Sequence, residues 1–397
     1  MKNDKSIANC ILSINGGSSS IKFALYETAE LLTQIVSGKV ENIGKKNAKF
    51  HFRNSLTNQE NSVEIQAFSY EEAADFLIDW IGKQNYFSAL KAVGHRIVHG
   101  LKHTQPVPIT SELRNELKKM AAFAPEHLPN EIRLVEAFAK RYPALAQVAC
   151  FDTSFHVSML PVAKLLTIPR RFFEMGVQRY GFHGLSYAYL IEELAIVAGN
   201  EAAQGKIIVA HLGNGASLAA IKNKKSVDCS MGFTPNSGLP MSTRTGDLEP
   251  GAAWYVMQTE NLNPAQFNAL VNHESGLLGV SETTADLREL MTLQHHDPRA
   301  AEAIELFCYQ TKKWIGAFAA VLEGVDTLLF SGGIGENNAE IRARICRGLA
   351  FLGIEIEEKR NENQAAIIST ATSRVTVRVM KTNEELMIAR LVCQVLK

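Results

Sequence analysis

An apolar strand that runs into a Gly/Ser/Asn turn and leaves as a second strand occurs twice in this chain. Residues 11–25 read ILSINGGSSSIKFAL and residues 209–221 read VAHLGNGASLAAI. In Asn15-Gly16-Gly17-Ser18 and in Gly213-Asn214-Gly215 the glycines permit positive φ and let backbone approach a ligand closely. Successive exposed amides beside small hydroxyls form a pocket for phosphate oxygens. With Ser20 aligned on Ser217, the pair predicts a duplicated nucleotide-binding core that holds phosphates between its halves. Either turn alone could be an ordinary polar-tipped hairpin. The recurrence is what argues for function.

A chain of 397 residues, 46% of them hydrophobic, exceeds what one core usually supports, so two domains are expected. Lys plus Arg and Asp plus Glu both number 41, which leaves no global field to favour nucleic acid or an anionic membrane. A small-molecule ligand is the better fit. Cys10, Cys150, Cys229, Cys308, Cys346 and Cys393 show no CxxC spacing and lie mostly in apolar patterns, as free thiols of a cytosolic protein do. No secretory leader pattern and no run of about 18 apolar residues is seen, so a soluble cytoplasmic protein is expected.

The first hundred residues alternate as strands do, through Ile21, Phe23 and Leu25 and on to SVEIQAF, and predict an antiparallel meander. A helix is predicted from Tyr70 to about Asn85, opened by a Ser69/Glu72 capping box. Strand ALKAVGHRIVHG, helices over 111–123 and 130–142, and strand AQVACFD ending at Asp152 complete a first half. After a loop-rich connection over 153–180 the plan repeats: a helix over 185–198, strand KIIVAHL, the glycine turn and another strand. A Gly/Pro/Ser/Thr-rich segment over 226–251 has the length of a functional loop. Helices follow, with starts placed at Thr284 and Pro298, then strand DTLLFS entering SGGIGEN as a tight turn, strand VTVRVM and a last helix from Asn383.

Several residues can carry chemistry. Ser18, Ser20 and Lys22 suit phosphate, and Asn15 can orient a metal-bound water. SGGIGEN, between strand and helix, offers free amides and backbone flat enough for an adenine ring, although a strand-to-helix turn alone is a weak signal. Arg96 lies in an apolar strand, so its guanidinium needs a partner. With Arg244 in MSTRTGD it suits a small carboxylate or a transferring phosphoryl group, while a structural ion pair is the plainer reading of either one. His183, between Phe182 and Gly184, is placed to donate to developing charge, whereas no HExxH or CxxC spacing suggests zinc. Asp152 at a strand end and Glu384 in TNEEL are the candidate magnesium carboxylates, with dipole compensation as the plain reading of Glu384.

Taken together, INGGSSSIKF, GHRIVHG, FDTSFH, YGFHGLS, HLGNGAS, STRTGDLEPG, FSGGIGEN and TNEEL resemble, in order and over about residues 10–390, the acetate and propionate kinases of the acetate/sugar kinase, heat-shock cognate and actin superfamily. That resemblance implies an α/β chain of duplicated ribonuclease H-like, actin-like ATPase domains with a nucleotide crevice between them. The domains would be residues 1–152, with the helix over 384–397 packed on them, and residues 153–383. It implies a cytoplasmic homodimer that makes an acyl phosphate from ATP and acetate or another short-chain carboxylate, with Mg²⁺ or, as a substitute, Mn²⁺. Carried over by motif, Asn15 and Glu384 would be metal-site residues, Ser18, Ser20 and Lys22 the phosphate loop, Arg96 the carboxylate binder and Asp152 the catalytic aspartate. His183 and Arg244 would stabilise the transition state. His211, Leu212, Gly213, Asn214 and Gly215, then Asp286, Leu287 and Arg288, then Gly333, Ile334, Gly335, Glu336 and Asn337 would hold ATP.

Val98, His127, Phe182 and Pro235 would wall the acyl group. The chain departs from the family there: APLHNP reads Ala124-Pro125-Glu126-His127-Leu128-Pro129, and TPLEG reads Thr234-Pro235-Asn236-Ser237-Gly238. A charge at that wall is costly unless Glu126 turns away or pairs, so acyl-chain preference turns on this segment. Two other classes fit the same core. A nucleotide-switched interaction protein would not need the set Arg96, His183 and Arg244, and a sugar kinase would use Asp152 as a base toward a hydroxyl.

Overall fold

The structure, a computed structural model, describes residues 9–17 and 19–397, so Ser18 of the first turn lies outside the described residues. The chain divides into two compact units, one running to Ser154 and taking back Asn383–Lys397, the other spanning Phe155–Thr382.

In the first unit β1 (Cys10–Gly16), β2 (Ser20–Thr28), β3 (Leu32–Glu41), β4 (Lys49–Asn54) and β5 (Gln59–Glu64) form the expected antiparallel meander. Helix α1 (Tyr70–Gly82) buries Tyr70, Ala73, Ala74, Leu77, Ile78 and Ile81, one stripe at helical spacing. Ser69 accepts from the Glu72 amide at 3.1 Å, but the Glu72 carboxylate takes the Phe68 amide at 2.7 Å, one residue before the cap. The helix stops three residues short of Asn85, closed by the Lys83 amide on the Trp80 and Ile81 carbonyls. Strand β6 (Leu90–Ile97), the two-residue β7 (Val107–Pro108), helices α2 (Ser111–Met120) and α3 (Leu128–Arg141), and β8 (Ala146–Phe151) follow. Phe23, Phe50 and Trp80 form the aromatic centre of this core, with Phe50 and Trp80 centroids 4.9 Å apart.

The second unit opens with short helices α4 (Pro161–Lys164) and α5 (Arg170–Glu174), then α6 (Gly184–Ala198) and α7 (Asn200–Gln204). Strands β9 (Ile207–Leu212), β10 (Ala216–Lys222) and β11 (Lys225–Cys229) precede an irregular stretch over 230–249. Helices α8 (Pro250–Thr259), α9 (Pro264–His273), α10 (Gly276–Ser281), α11 (Leu287–Leu293) and α12 (Pro298–Val321) come next. α11 starts three residues after the expected Thr284, because the Asp286 side chain caps the Arg288 amide while Thr284 is held by Ser281. β12 (Thr327–Ser331) leads into α13 (Gly332–Asn337), so the expected SGGIGEN turn is itself a six-residue helix. Asn338 breaks it from α14 (Ala339–Cys346), which its side chain caps. A short α15 (Glu358–Glu362) and β13 (Thr376–Val379) close the unit, and α16 (Glu384–Leu396) returns to the first one, against β1 and β6.

The duplication is explicit in the sheets. The first runs β5-β4-β3-β2-β1-β6-β8-β7 and the second β11-β10-β9-β12-β13. Within the first, β3-β2-β1-β6-β8 matches the second strand for strand: two antiparallel neighbours on one side of the first strand, two parallel strands on the other. This is the ribonuclease H-like order of an actin-like fold, and the repeated glycine turn is the first hairpin of each copy. Among the described residues no helix is long and apolar enough to cross a membrane.

Candidate active site

The candidate residues fall into one cluster in each unit. In the first, β1 carries Asn15 next to its end, and Asn15 Nδ2 donates to Glu384 Oε2 (2.8 Å) and Glu385 Oε1 (3.2 Å) in the opening turn of α16. The helix is held there by Ser13 Oγ, which donates to the Glu385 carbonyl at 2.7 Å. Two carboxylates at a helix N-terminus are favoured by the helix dipole. Ser20 is half-buried at the start of β2, its carbonyl accepting from the Gly17 amide at 2.8 Å, and Lys22 is exposed on the same strand.

Two strands along, β6 delivers Arg96 beside the end of β8. Its Nε and Nη2 both donate to Asp152 Oδ2, at 3.1 and 2.6 Å, and Nη1 donates to the Gly16 carbonyl at 3.2 Å. Glu131 Oε1 lies 3.5 Å from Nη1, and Glu131 Oε2 accepts from the Val98 amide at 2.9 Å. Both carboxylates are 1% exposed. Burial opposes charge on Arg96, but Asp152 and Glu131 outweigh it and raise its pKa. Burial pushes Glu131 up to about 8, against the pull of Arg96 and the Val98 amide. Val98 is buried, and His127 is half-buried at the N-terminus of α3. Glu126 is half-buried, while Leu128 is buried in the core.

In the second unit His183 precedes α6 in a left-handed conformation, φ 56°, which costs a non-glycine residue about 1–2 kcal/mol. Such strain is often kept at a functional site. Its Nδ1 lies 2.8 Å from Ser217 Oγ, itself 2.5 Å from the Tyr187 hydroxyl. Its ring lies 4.4 Å, centroid to centroid, from that of His211, and His211 Nδ1 is 2.8 Å from Ser186 Oγ. A Cβ placed on Gly215 would lie 3.2 Å from His183 Nε2 and 3.3 Å from Arg244 Nη2. The turn after Leu212 therefore presents bare backbone where an imidazole and a guanidinium converge. Arg244 is anchored by Nη1 to the Pro235 carbonyl at 2.6 Å, and the Ser242 amide donates to the Asn214 carbonyl at 3.3 Å. Phe182 is buried, its carbonyl 2.9 Å from His156 Nε2.

Two further stretches belong to this unit. Asp286 caps α11 before the buried Leu287 and pairs with the exposed Arg288 at 2.5 Å. Gly333, Ile334, Gly335, Glu336 and Asn337 form α13, in which Glu336 Oε1 accepts from the Gly332 amide (3.0 Å) and the Thr382 amide (3.1 Å). Gly332 needs its positive φ of +77° and has no room for a side chain, since a Cβ would meet the Leu212 carbonyl at 2.6 Å. Beneath α13 the fully buried Arg342 donates to the Gly335 and Glu336 carbonyls.

Sequence reading overlooked Glu131, Glu385 and Arg342 as members of these clusters. Glu131 had a legible signal: it occupies the stripe Leu128, Ile132, Val135, Phe138 that α3 buries, where a carboxylate has no place without a partner. Among the described residues no group of three or more His, Cys, Asp or Glu could hold a metal. Glu384 and Glu385 do set carboxylate oxygens together beside the Asn15 amide, which suits an ion such as Mg²⁺ that takes one or two carboxylates and keeps several waters.

Comparison with known proteins points to one family for the chain as a whole. The profile of the Acetokinase family matches residues 10–390. The chain belongs to the acetokinase family. An acetate kinase of Rhodopseudomonas palustris (strain TIE-1) is 41% identical, over 97% of this chain and 98% of the relative. A propionate kinase of Citrobacter rodentium is 39% identical, over 96% of this chain and 95% of the relative. The crystal structure of Porphyromonas gingivalis acetate kinase superposes with a TM-score of 0.86 at 36% identity, covering 98% of this chain and 100% of the other. That of a propionate kinase from Francisella tularensis reaches 0.89 at 35% identity, covering 96% and 98%. As an acetokinase the chain is a phosphotransferase of two actin-like domains with a nucleotide as co-substrate.

Proposed function

We propose that this chain is an acetate kinase, transferring the γ-phosphoryl group of ATP reversibly to acetate to give acetyl phosphate and ADP, with propionate as the alternative acceptor. The observation that carries this reading is the convergence of His183 Nε2 and Arg244 Nη2 on the side-chain-free Gly215. Phosphoryl transfer is catalysed mainly by positioning and by neutralising charge on the transferring group, which is what two donors aimed at one backbone turn supply. Acetate is ionised at pH 7, so one of its oxygens attacks phosphorus without losing a proton, and the bond to the ADP oxygen breaks with its electron pair leaving on ADP. No general base is needed.

In this reading Arg96 receives the acetate carboxylate, and Asp152, through two guanidinium nitrogens, sets the direction of the remaining donors. Val98, His127, Phe182 and Pro235 border the methyl group. Ser18, Ser20 and Lys22 serve the phosphates with His211 to Gly215, while Asp286 to Arg288 and Gly333 to Asn337 serve adenosine. Asn15 and Glu384 would hold Mg²⁺ with Glu385 beside them, and the ion would supply charge neutralisation to the ATP phosphates. A cytoplasmic homodimer belongs to the same proposal.

Acetate, propionate, butyrate and glycerol offered side by side with ATP, and acyl phosphate trapped as hydroxamate, test it. Acetate should give the highest kcat/KM, propionate the next, and glycerol nothing. Phosphorylated glycerol would instead support a sugar kinase, and slow ATP hydrolysis indifferent to every acid a nucleotide-switched protein.

A further inference from the structure

Glu131 joins α3 to Arg96 of β6 and to the backbone just past that strand, and has no part in the reaction as derived above. It sits in the first turn of α3, its side chain 1% exposed. One oxygen accepts from the Val98 amide, which lies one residue past the end of β6. Just before it, the Asp152 amide donates to the Ile97 carbonyl at 3.0 Å. The other oxygen faces Arg96 Nη1, the nitrogen that also donates to the Gly16 carbonyl. Asp152 fixes the opposite edge of the same guanidinium. Gly16 is walled from this side: a Cβ on it would meet the Tyr70 hydroxyl at 2.6 Å and Glu131 Cγ at 3.8 Å.

We propose that Glu131 is a positioning residue for the acyl acceptor, holding the Arg96 guanidinium and the Val98 backbone in one fixed relation. The inference rests on the acyl-kinase reading, in which Arg96 binds the carboxylate and Val98 borders the methyl group. Its physical content is that a single side chain spans both partners. An uncharged side chain of the same length keeps the Val98 bond through its one carbonyl oxygen and gives up only the longer contact to Arg96 Nη1, whereas a shorter one should fail at both even with its charge intact. Planar side-chain oxygens at this position matter because buried donors left without acceptors are costly and shift to find others. Loss of the tether leaves Arg96 Nη1 on the Gly16 carbonyl alone and lets the Val98 backbone move, which affects acetate and leaves ATP untouched.

Kinetics of Glu131→Gln, Glu131→Asp and Glu131→Ala against the unaltered chain test this. Glu131→Gln should keep KM for acetate within about 3-fold, whereas Glu131→Asp, too short by one methylene to reach both partners, should raise it about 10-fold, a loss of about 1.4 kcal/mol. KM for ATP should stay within about 2-fold in both. Glu131→Ala should resemble Glu131→Asp, and if it does not fold the Gln/Asp contrast still decides. A Glu131→Asp protein with unaltered KM for acetate, or variants in which both KM values rise alike, would overturn the proposal. If the unaltered chain makes no acyl phosphate, the functional reading fails and this inference with it; if it does and Glu131→Asp matches it, the inference alone fails.

Discussion

A guanidinium gripped through Nε and Nη2 by one carboxylate oxygen, with Nη1 on a backbone carbonyl, has almost no rotational freedom left, and Arg96 is only 12% exposed. Preorganisation of this kind matters more for a bidentate anion than charge alone, because a lysine ammonium cannot reproduce the planar fork. Arg96→Lys should therefore keep the fold and lower kcat/KM for acetate by about 100-fold, about 3 kcal/mol, with KM for ATP little changed. A variant within about 3-fold of the unaltered chain would remove Arg96 from acceptor binding. The need for a partner was legible in the sequence, since an arginine in an apolar strand cannot stay unpaired. The identity of that partner was legible only in part. Asp152 stood out as a charged strand end, but Glu131 is 35 residues from Arg96 and comes to it through the packing of α3 on the sheet, which no local pattern encodes. The six cysteines, by contrast, behave as their apolar contexts imply: all are free, and burial pushes every thiol pKa up.

Elements were legible where periodicity was long and less so where one side chain sets a boundary. The stripe of α1 predicted its existence, yet its end and the destination of the Glu72 carboxylate depended on backbone geometry. α11 starts at Leu287 because Asp286, rather than Thr284, takes the cap, and SGGIGEN coils into α13 because Glu336 and Arg342 hold it from both ends. α16 is the element on which the first cluster most depends, for it carries Glu384 and Glu385 to Asn15. Its seat is Gly94 of β6, where a Cβ would lie 2.5 Å from both Ile388 Cγ2 and Val392 Cγ2. Gly94→Ala should push α16 off the strand and destabilise the protein by about 1–3 kcal/mol. Urea unfolding followed by far-UV circular dichroism would show this as a lower midpoint. A midpoint equal to that of the unaltered chain would mean that α16 is not seated as described.

For the whole molecule the duplication was readable because two copies of one turn stand at equivalent places in two sheets of the same strand order. What sequence could not show is which titrating groups those sheets bury, and these set how stability responds to pH. Burial holds His95, His99 and His156 neutral, each at about 4 rather than the ordinary 6.5. A base with a depressed folded pKa contributes its stability in full above the unfolded value and loses it as pH falls from about 6.5 to 4. Each can account for up to about 3 kcal/mol over that window. Glu131 acts in the opposite sense. Its folded pKa is raised from 4.5 to about 8, first by burial and also by Asp152, with Arg96 pulling the other way. The stability it provides is present below about 4.5 and is lost as pH rises toward 8. Three histidines outweigh one glutamate below pH 6.5, and above it only the glutamate still titrates, so thermal stability should peak near pH 6.5. Glu131→Gln removes the loss that Glu131 imposes between about pH 4.5 and 8. Between pH 6.5 and 8 the melting temperature of the unaltered chain should fall while that of Glu131→Gln stays level; from pH 6.5 down to about 4.5 the variant should fall more steeply than the unaltered chain, and the two should run parallel only below about pH 4.5. Parallel curves above pH 6.5 would show that Glu131 is already ionised in the folded protein at neutral pH, with Arg96 rather than burial setting its charge.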